Sequence, residues 1–145
     1  GWCRTEILAK VCSTGLDDMY LCAGDGLHHK PFTKDDFDHI SMHVYEGDFT
    51  VQSDCEKLVL PILGLYSLIL KKRDSQQMHE MKKYIDESKK RFFPDTYDLK
   101  NEDGTFVRRN LFSNLVPMME EYVETLLATE ASAVTPVAEA SDCAS

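Results

Sequence analysis

The sequence predicts a helix-rich α+β domain with a small sheet. Three observations predict it. The apolar run LVLPILGLYSLIL, residues 58–70, is long enough for a buried helix. Apolar residues recur at helical spacing over 75–92 and 111–126. Short strand-like stretches and a hairpin signal at 96–108 are scattered among the helices, without the regular strand–helix alternation of a parallel sheet. The 145 residues suffice for one domain. At 43% hydrophobic and 28% charged residues, a core can form without disulfide or metal staples.

The elements follow in chain order. Trp2, Ile7, Leu8 and Val11 predict a first helix, stopped at Ser13-Thr14-Gly15, with Gly15 as its C-terminal cap. Residues 19–23 (MYLCA) read as a strand broken by Gly24-Asp25-Gly26. Thr33 and Asp36 form a capping box for a short helix over 34–39. Residues 40–45 read as a second strand, with a turn at Glu46-Gly47-Asp48 and a continuation over 49–51. Ser53 or Asp54 caps the next helix, which is apolar nearly all round and so belongs at the centre. Pro61 either kinks it or marks its true first turn. Asp74 or Ser75 caps a helix reaching Phe92, with Met78, Met81, Ile85 and Phe92 in one stripe, and Pro94 ends it. Stretches 96–99 and 105–108 flank Asn101-Glu102-Asp103-Gly104, a hairpin with Gly104 at positive φ. Leu111, Leu115, Met118, Tyr122 and Leu126 then mark a last amphipathic helix. The domain is placed at 1–128. From Thr129 the composition falls to Ala, Ser, Thr, Val and Glu, a low-complexity tail over 129–145.

Charge and cysteine usage narrow the function classes. Sixteen Lys+Arg against 25 Asp+Glu give a net charge of −9, a poor field for general nucleic-acid binding. Five widely spaced cysteines without a C-x-x-C pair point to free thiols in a reducing intracellular compartment, cytosol or organelle. As a helix, run 58–70 rises only about 20 Å, short of the roughly 30 Å of a hydrocarbon core, so it reads as buried rather than spanning. The chain opens at Gly1 without an initiator Met, as a processed product or part of something longer would.

Basic residues gather between Lys71 and Arg109, where 11 bases face 8 acids; the remainder holds 5 bases and 17 acids. On one helical wheel Lys71, Lys82 and Lys89 share a line, and Lys72, Lys83 and Lys90 fall about 100° away. One reading is a basic rim that docks on an acidic protein partner or an anionic membrane surface. The other is a solvated face whose lysine stems cover the edge of the core.

The opening residues Gly1-Trp-Cys-Arg-Thr-Glu-Ile-Leu8 hold Trp2-Cys3-x-x-Glu6 at the start of a helix. This resembles the Trp-Cys-x-x-Glu box of TIR domains, and is similar to the Trp-Cys-Arg-x-Glu stretch of protist and algal proteins with TIR-like folds. The resemblance implies that strands 19–23 and 40–45 and the helix from Asp54 belong to the second half of a TIR-like α/β sheet. It implies Glu6 as the catalytic acid of an NAD-cleaving reaction, Trp2 beneath the site and Cys3 on the core side. In that family the box lies midway along the domain, and the strands that complete the nucleotide pocket precede it. The expectation is therefore no NAD cleavage by this chain alone, since a carboxylate needs neighbours that hold the ribose and exclude water. In the first turn of a helix Glu6 also has a plain role, balancing the helix dipole.

No other constellation carries chemistry. His28, His29, His39 and His43 cluster in sequence near Cys22, Asp35, Asp36 and Asp38, without a zinc spacing. Neither glycine-containing acidic loop fits an EF-hand: aligning Asp103-Gly104 puts Leu99 at the first ligand position, and Gly24-Asp25-Gly26 puts Leu21 there. No Gly-x-x-x-x-Gly-Lys occurs. Cys12, Cys22 and Cys55 adjoin apolar segments and are expected in the core. The reading is a non-catalytic interaction or structural subunit of a larger protein assembly, without cofactor or metal. It would dock through the apolar and lysine-rich sides of helix 75–92 (with Lys71, Lys72, Lys82, Lys83, Lys89 and Lys90) and through the tail. The alternatives are a TIR-like NAD-cleaving fragment completed by a missing segment, and a peripheral subunit of a photosynthetic or respiratory membrane complex.

Overall fold

Helix α4, Val59–Lys71, is the element around which the others pack. It buries Val59, Ile62, Leu63, Tyr66, Ile69 and Leu70, a face that contributes on the order of 10 kcal/mol of hydrophobic stabilisation. The computed structural model describes residues 1–39 and 43–133. The element order is α1 (Trp2–Thr14), β1 (Tyr20–Cys22), β2 (His29–Pro31), α2 (Lys34–His39), a 3-10 turn at Val44–Glu46, α3 (Asp54–Lys57), α4, α5 (Gln76–Glu87), α6 (Lys89–Phe92), β3 (Thr96–Lys100), β4 (Phe106–Asn110) and α7 (Leu115–Ala133). This is a small, helix-rich α+β fold with two separate two-stranded antiparallel sheets. No helix among the described residues is long and apolar enough to cross a membrane.

Local signals set several boundaries. Gly15 closes α1 at φ 71, its N–H bonding to Val11 O at 2.8 Å, a conformation that penalises any side chain. The Thr33–Asp36 capping box is reciprocal: Asp36 accepts from the Thr33 N–H at 3.0 Å, and Thr33 Oγ1 accepts from the Asp36 N–H at 3.2 Å. Ser75 caps α5 by accepting from the Met78 N–H. Gly104 turns the β3–β4 hairpin at φ 84, and Asp103 accepts from the Thr105 N–H at 2.9 Å.

Several expectations are corrected. The expected helix from Ser53 or Asp54 breaks at Leu58 into α3 and α4. Pro61 has no N–H to give the Lys57 carbonyl, so α4 restarts with Pro61 in its first turn. The helix expected to Phe92 breaks at Ser88, and Phe92 and Phe93 both turn into the core. Of the strand expected over 40–45, residues 40–42 lie outside the described residues. Val44–Glu46 is a 3-10 turn closed by Gly47 N–H to Val44 O, and 49–51 is not a strand. The TIR resemblance put strands 19–23 and 40–45 in one sheet; β1 pairs instead with β2, with Leu21 opposite Lys30. The last helix begins at Leu115, because the Leu111 and Phe112 N–H groups bond back to Asp95 and Pro94. It runs through Thr129 to Ala133, past the start of the expected tail. Residues 134–145 of that tail lie outside the described residues.

Helix α7 lies alongside α4 and runs in the same direction. Leu60 and Leu115 line one recess. Tyr66 donates to Glu120 at 2.7 Å, Leu70 and Val123 line another recess, and Arg73 pairs with Glu124. The Tyr66 side chain is 1% exposed, so its hydroxyl requires a partner; Glu120 on α7 is the nearer one, with Asp86 on α5 at 3.5 Å. Glu120 also binds Lys89 at 2.6 Å, joining α4, α6 and α7 through one carboxylate. Tyr66→Phe removes one hydrogen bond to a charged acceptor and should cost roughly 1.5–3 kcal/mol. Urea denaturation of the two proteins measures the difference, and unchanged stability contradicts this role for the bond.

Candidate functional site

Glu6 lies on the exposed side of α1 and makes no hydrogen bond or ion pair among the described residues. The resemblance placed Trp2 beneath a site and Cys3 toward the core. Trp2 is 55% exposed and Cys3 is exposed, because α1 meets the core with Leu8, Val11 and Cys12. Cys12 and Cys55 are buried and Cys22 is exposed, correcting the expectation for Cys22: Leu21 turns to the core, so its neighbour Cys22 points to the opposite, outer side of β1. Burial pushes the Cys12 thiol up to about 12, which keeps it protonated and unreactive at neutral pH.

The six lysines do not form one line, since the helix they were projected on is three helices. Lys72 donates to the Ser13 carbonyl at 2.7 Å on α1. Lys82 pairs with Asp86 at 2.6 Å, Lys89 with Glu120 and Asp86, and Lys90 with Asp95 at 2.6 Å. Lys71 and Lys83 are exposed and make no ion pair among the described residues. The stripe of Met78, Met81, Ile85 and Phe92 faces inward, at 1–7% exposure. The apolar side of 75–92 is thus spent on the core, while on its basic side Lys82, Lys89 and Lys90 have acidic neighbours within the chain.

Two other arrangements emerge. The first is a polar knot beneath α5 and α6. Asp38 Oδ1 receives His43 Nε2 at 3.3 Å, the Tyr84 hydroxyl and Arg91 Nη1 at 3.3 Å. Arg91 also grips Glu46 with two nitrogens, at 2.6 and 3.0 Å. His43 is fully buried against the rings of Phe37 and Phe92, with centroids 5.4 and 4.5 Å away. The carboxylate selects the tautomer with the proton on Nε2, leaving Nδ1 without a partner among the described residues. An imidazole sealed in this way cannot meet a substrate; it ties the end of α2 and the 3-10 turn to α5 and α6. No group of three or more His, Cys, Asp and Glu among the described residues is arranged to hold a metal.

The second arrangement is on the outer side of α4 and α7. At 100° per residue, Leu115, Met118, Tyr122 and Leu126 occupy an arc of about 80° on α7, and Thr129 and Ala133 continue it. The inward face of Val116, Met119, Val123 and Leu127 is the next arc round. The fold therefore covers only about half of the apolar arc of α7. Met118 is 56% and Tyr122 62% exposed, and the Tyr122 hydroxyl has no hydrogen bond among the described residues. Beside them α4 shows Leu60 at 74% exposure, with Gly64, Ser67 and Lys71 on the same line. The sequence marks Leu115, Met118 and Tyr122 as the apolar side of an amphipathic helix, and the structure leaves all three exposed. The available signal was the width of the apolar arc, too wide for one buried stripe.

Set against protein-family models, curated proteins and solved structures, the chain matches none.

The knot makes stability depend on pH. Burial holds the His43 pKa below its ordinary 6.5, outweighing the opposing effect of the hydrogen bond that His43 donates to Asp38. Below about pH 6.5 the unfolded chain then binds more protons than the folded one, so stability falls on acidification, by up to about 1.4 kcal/mol per pH unit. Burial acts to raise the Asp38 pKa, but the bonds from Tyr84 and His43 and the charge of Arg91 outweigh it and hold the value below 3.8. The Asp38 contribution is therefore lost only in stronger acid. Melting temperatures between pH 7.5 and 5.0 should fall for the wild-type chain and fall less for His43→Gln. Equal slopes contradict the assignment to His43.

Proposed function

We propose that this protein is a non-catalytic interaction subunit that builds a larger protein assembly through the outer face of α4 and α7. The observation that carries this reading is the exposed row Leu60, Leu115, Met118 and Tyr122 on two packed helices. Contiguous apolar surface of this kind marks an interaction site, whereas apolar residues scattered singly do not. The two helices that bear it are tied together beneath the surface by Tyr66, Glu120 and Lys89, so the face is held ready rather than assembled on contact. Tyrosine and methionine supply large contact areas and suit such a role.

A photo-reactive amino acid substituted at Met118 or Tyr122 tests this in cells that express the chain. Adducts of one discrete mass to a protein neighbour are expected from both positions, and none from the same group at His28 or Glu102, which lie in the two hairpin loops. A Met118→Lys/Tyr122→Lys chain should elute at the 16.5 kDa of the free polypeptide. Equal labelling from all four positions, or none from any, contradicts the proposal.

A further inference from the structure

A cavity of about 160 Å³ opens where three elements meet: the turn after α1, the start of α2 and one face of α5. Gln77, Glu80, Met81 and Tyr84 follow one another at spacings of three, one and three residues, so they share one side of α5. Leu16 closes the cavity from the α1 side and Phe37 from α2. The floor is apolar, with Phe37, Tyr84 and Met81 at 1%, 5% and 7% exposure. Roughly 150 Å³ of apolar space suffices for a single benzene ring, so the cavity takes a group of about that size.

The mouth is charged, and mostly of one sign. Asp17 stands on the α1 side and Glu80 on the α5 side. The Asp17 carboxylate accepts from the Gln77 amide and the Glu80 carboxylate from the Gln76 amide, and neither has an ion pair among the described residues. Lys34 is the base at this mouth, and Glu87 lies 3.6 Å from its ammonium. That ammonium stands over the Tyr84 ring, 4.5 Å from the centroid. The face of an aromatic ring carries negative potential, and the Lys34 contact marks this ring as a seat for positive charge. With Glu87 beside Lys34, Asp17 and Glu80 leave the mouth negative above an apolar, aromatic floor. We propose that the cavity is a binding site for a small organic cation, a compact alkylammonium group of the choline type. Its alkyl groups fill the floor, and its charge is shared by Asp17, Glu80 and the Tyr84 ring. An anion would be repelled by the two carboxylates, and a neutral molecule would leave them unused. Lys34 competes for the ring and keeps the affinity modest. The site is independent of the α4–α7 face, since none of its residues lies on either helix.

Titration of the full chain with choline chloride at constant ionic strength tests the proposal, followed by NMR of isotope-labelled methionine methyl groups. The Met81 methyl, assigned through Met81→Leu, should shift saturably with a dissociation constant on the order of millimolar, while Met118 stays in place. The neutral isostere, in which a tert-butyl group replaces the trimethylammonium, should bind at least about fivefold more weakly. Asp17→Asn and Glu80→Gln should each weaken choline binding about two- to fivefold. Lys34→Gln should tighten it by a similar factor, because it clears the ring. All three positions are exposed, so the variants keep the fold, which their spectra check. A Met81 signal that never saturates, or that answers the neutral isostere as strongly as choline, overturns the proposal. So does binding that neither carboxylate substitution weakens, or that Lys34→Gln fails to tighten.

Discussion

A single buried hydroxyl sets the position of the last helix. Tyr66 is the one polar side chain on the inward face of α4, and at 1% exposure it has no recourse to water. Its bond to Glu120 fixes α7 in rotation and in height along α4, and Lys89 holds the same carboxylate from α6. Apolar contacts alone would let a helix with a wide apolar arc turn to bury either half. The hydrogen bond selects Val116 and Val123 for the inside and leaves Leu115, Met118 and Tyr122 outside. The outer face is in this sense a consequence of one polar contact.

A second polar group works in the same way near the C-terminal end of α5. Asp38 gathers His43, Tyr84 and Arg91, and Arg91 reaches on to Glu46. The knot pins the short helix α2 and the 3-10 turn, elements too small to hold themselves in place. It offers no open coordination position and no exposed nucleophile. The two networks together hold α2, α4, α5, α6 and α7 in fixed relation.

Much of the fold is legible in the sequence where local chemistry decides. Gly15, the Thr33–Asp36 box, the Ser75 cap and Gly104 each mark a boundary that the chain adopts. The 58–70 run is central because nothing else in the chain is as apolar. Legibility fails where tertiary contacts decide. Strand β2, His29–Pro31, carries a proline and no apolar alternation, so only its pairing with β1 reveals it. The break at Ser88 spoils the projection of six lysines on one wheel, and ion pairs with Asp86, Asp95 and Glu120 then consume three of them. Of the residues proposed for partner binding, Lys71 lies on the same line of α4 as the exposed Leu60. Which half of a broad apolar arc faces inward depends on Tyr66, a residue fifty positions away from that helix's first turn.

The reactivity of individual methionines toward dilute peroxide, followed by peptide mass spectrometry, tests the central claim most directly. Methionine thioethers are oxidised in proportion to their exposure. In dilute solution Met118, at 56% exposure, should oxidise well ahead of Met78 and Met81, at 2% and 7%. A Met118 as slow as Met78 would contradict the display of the outer face.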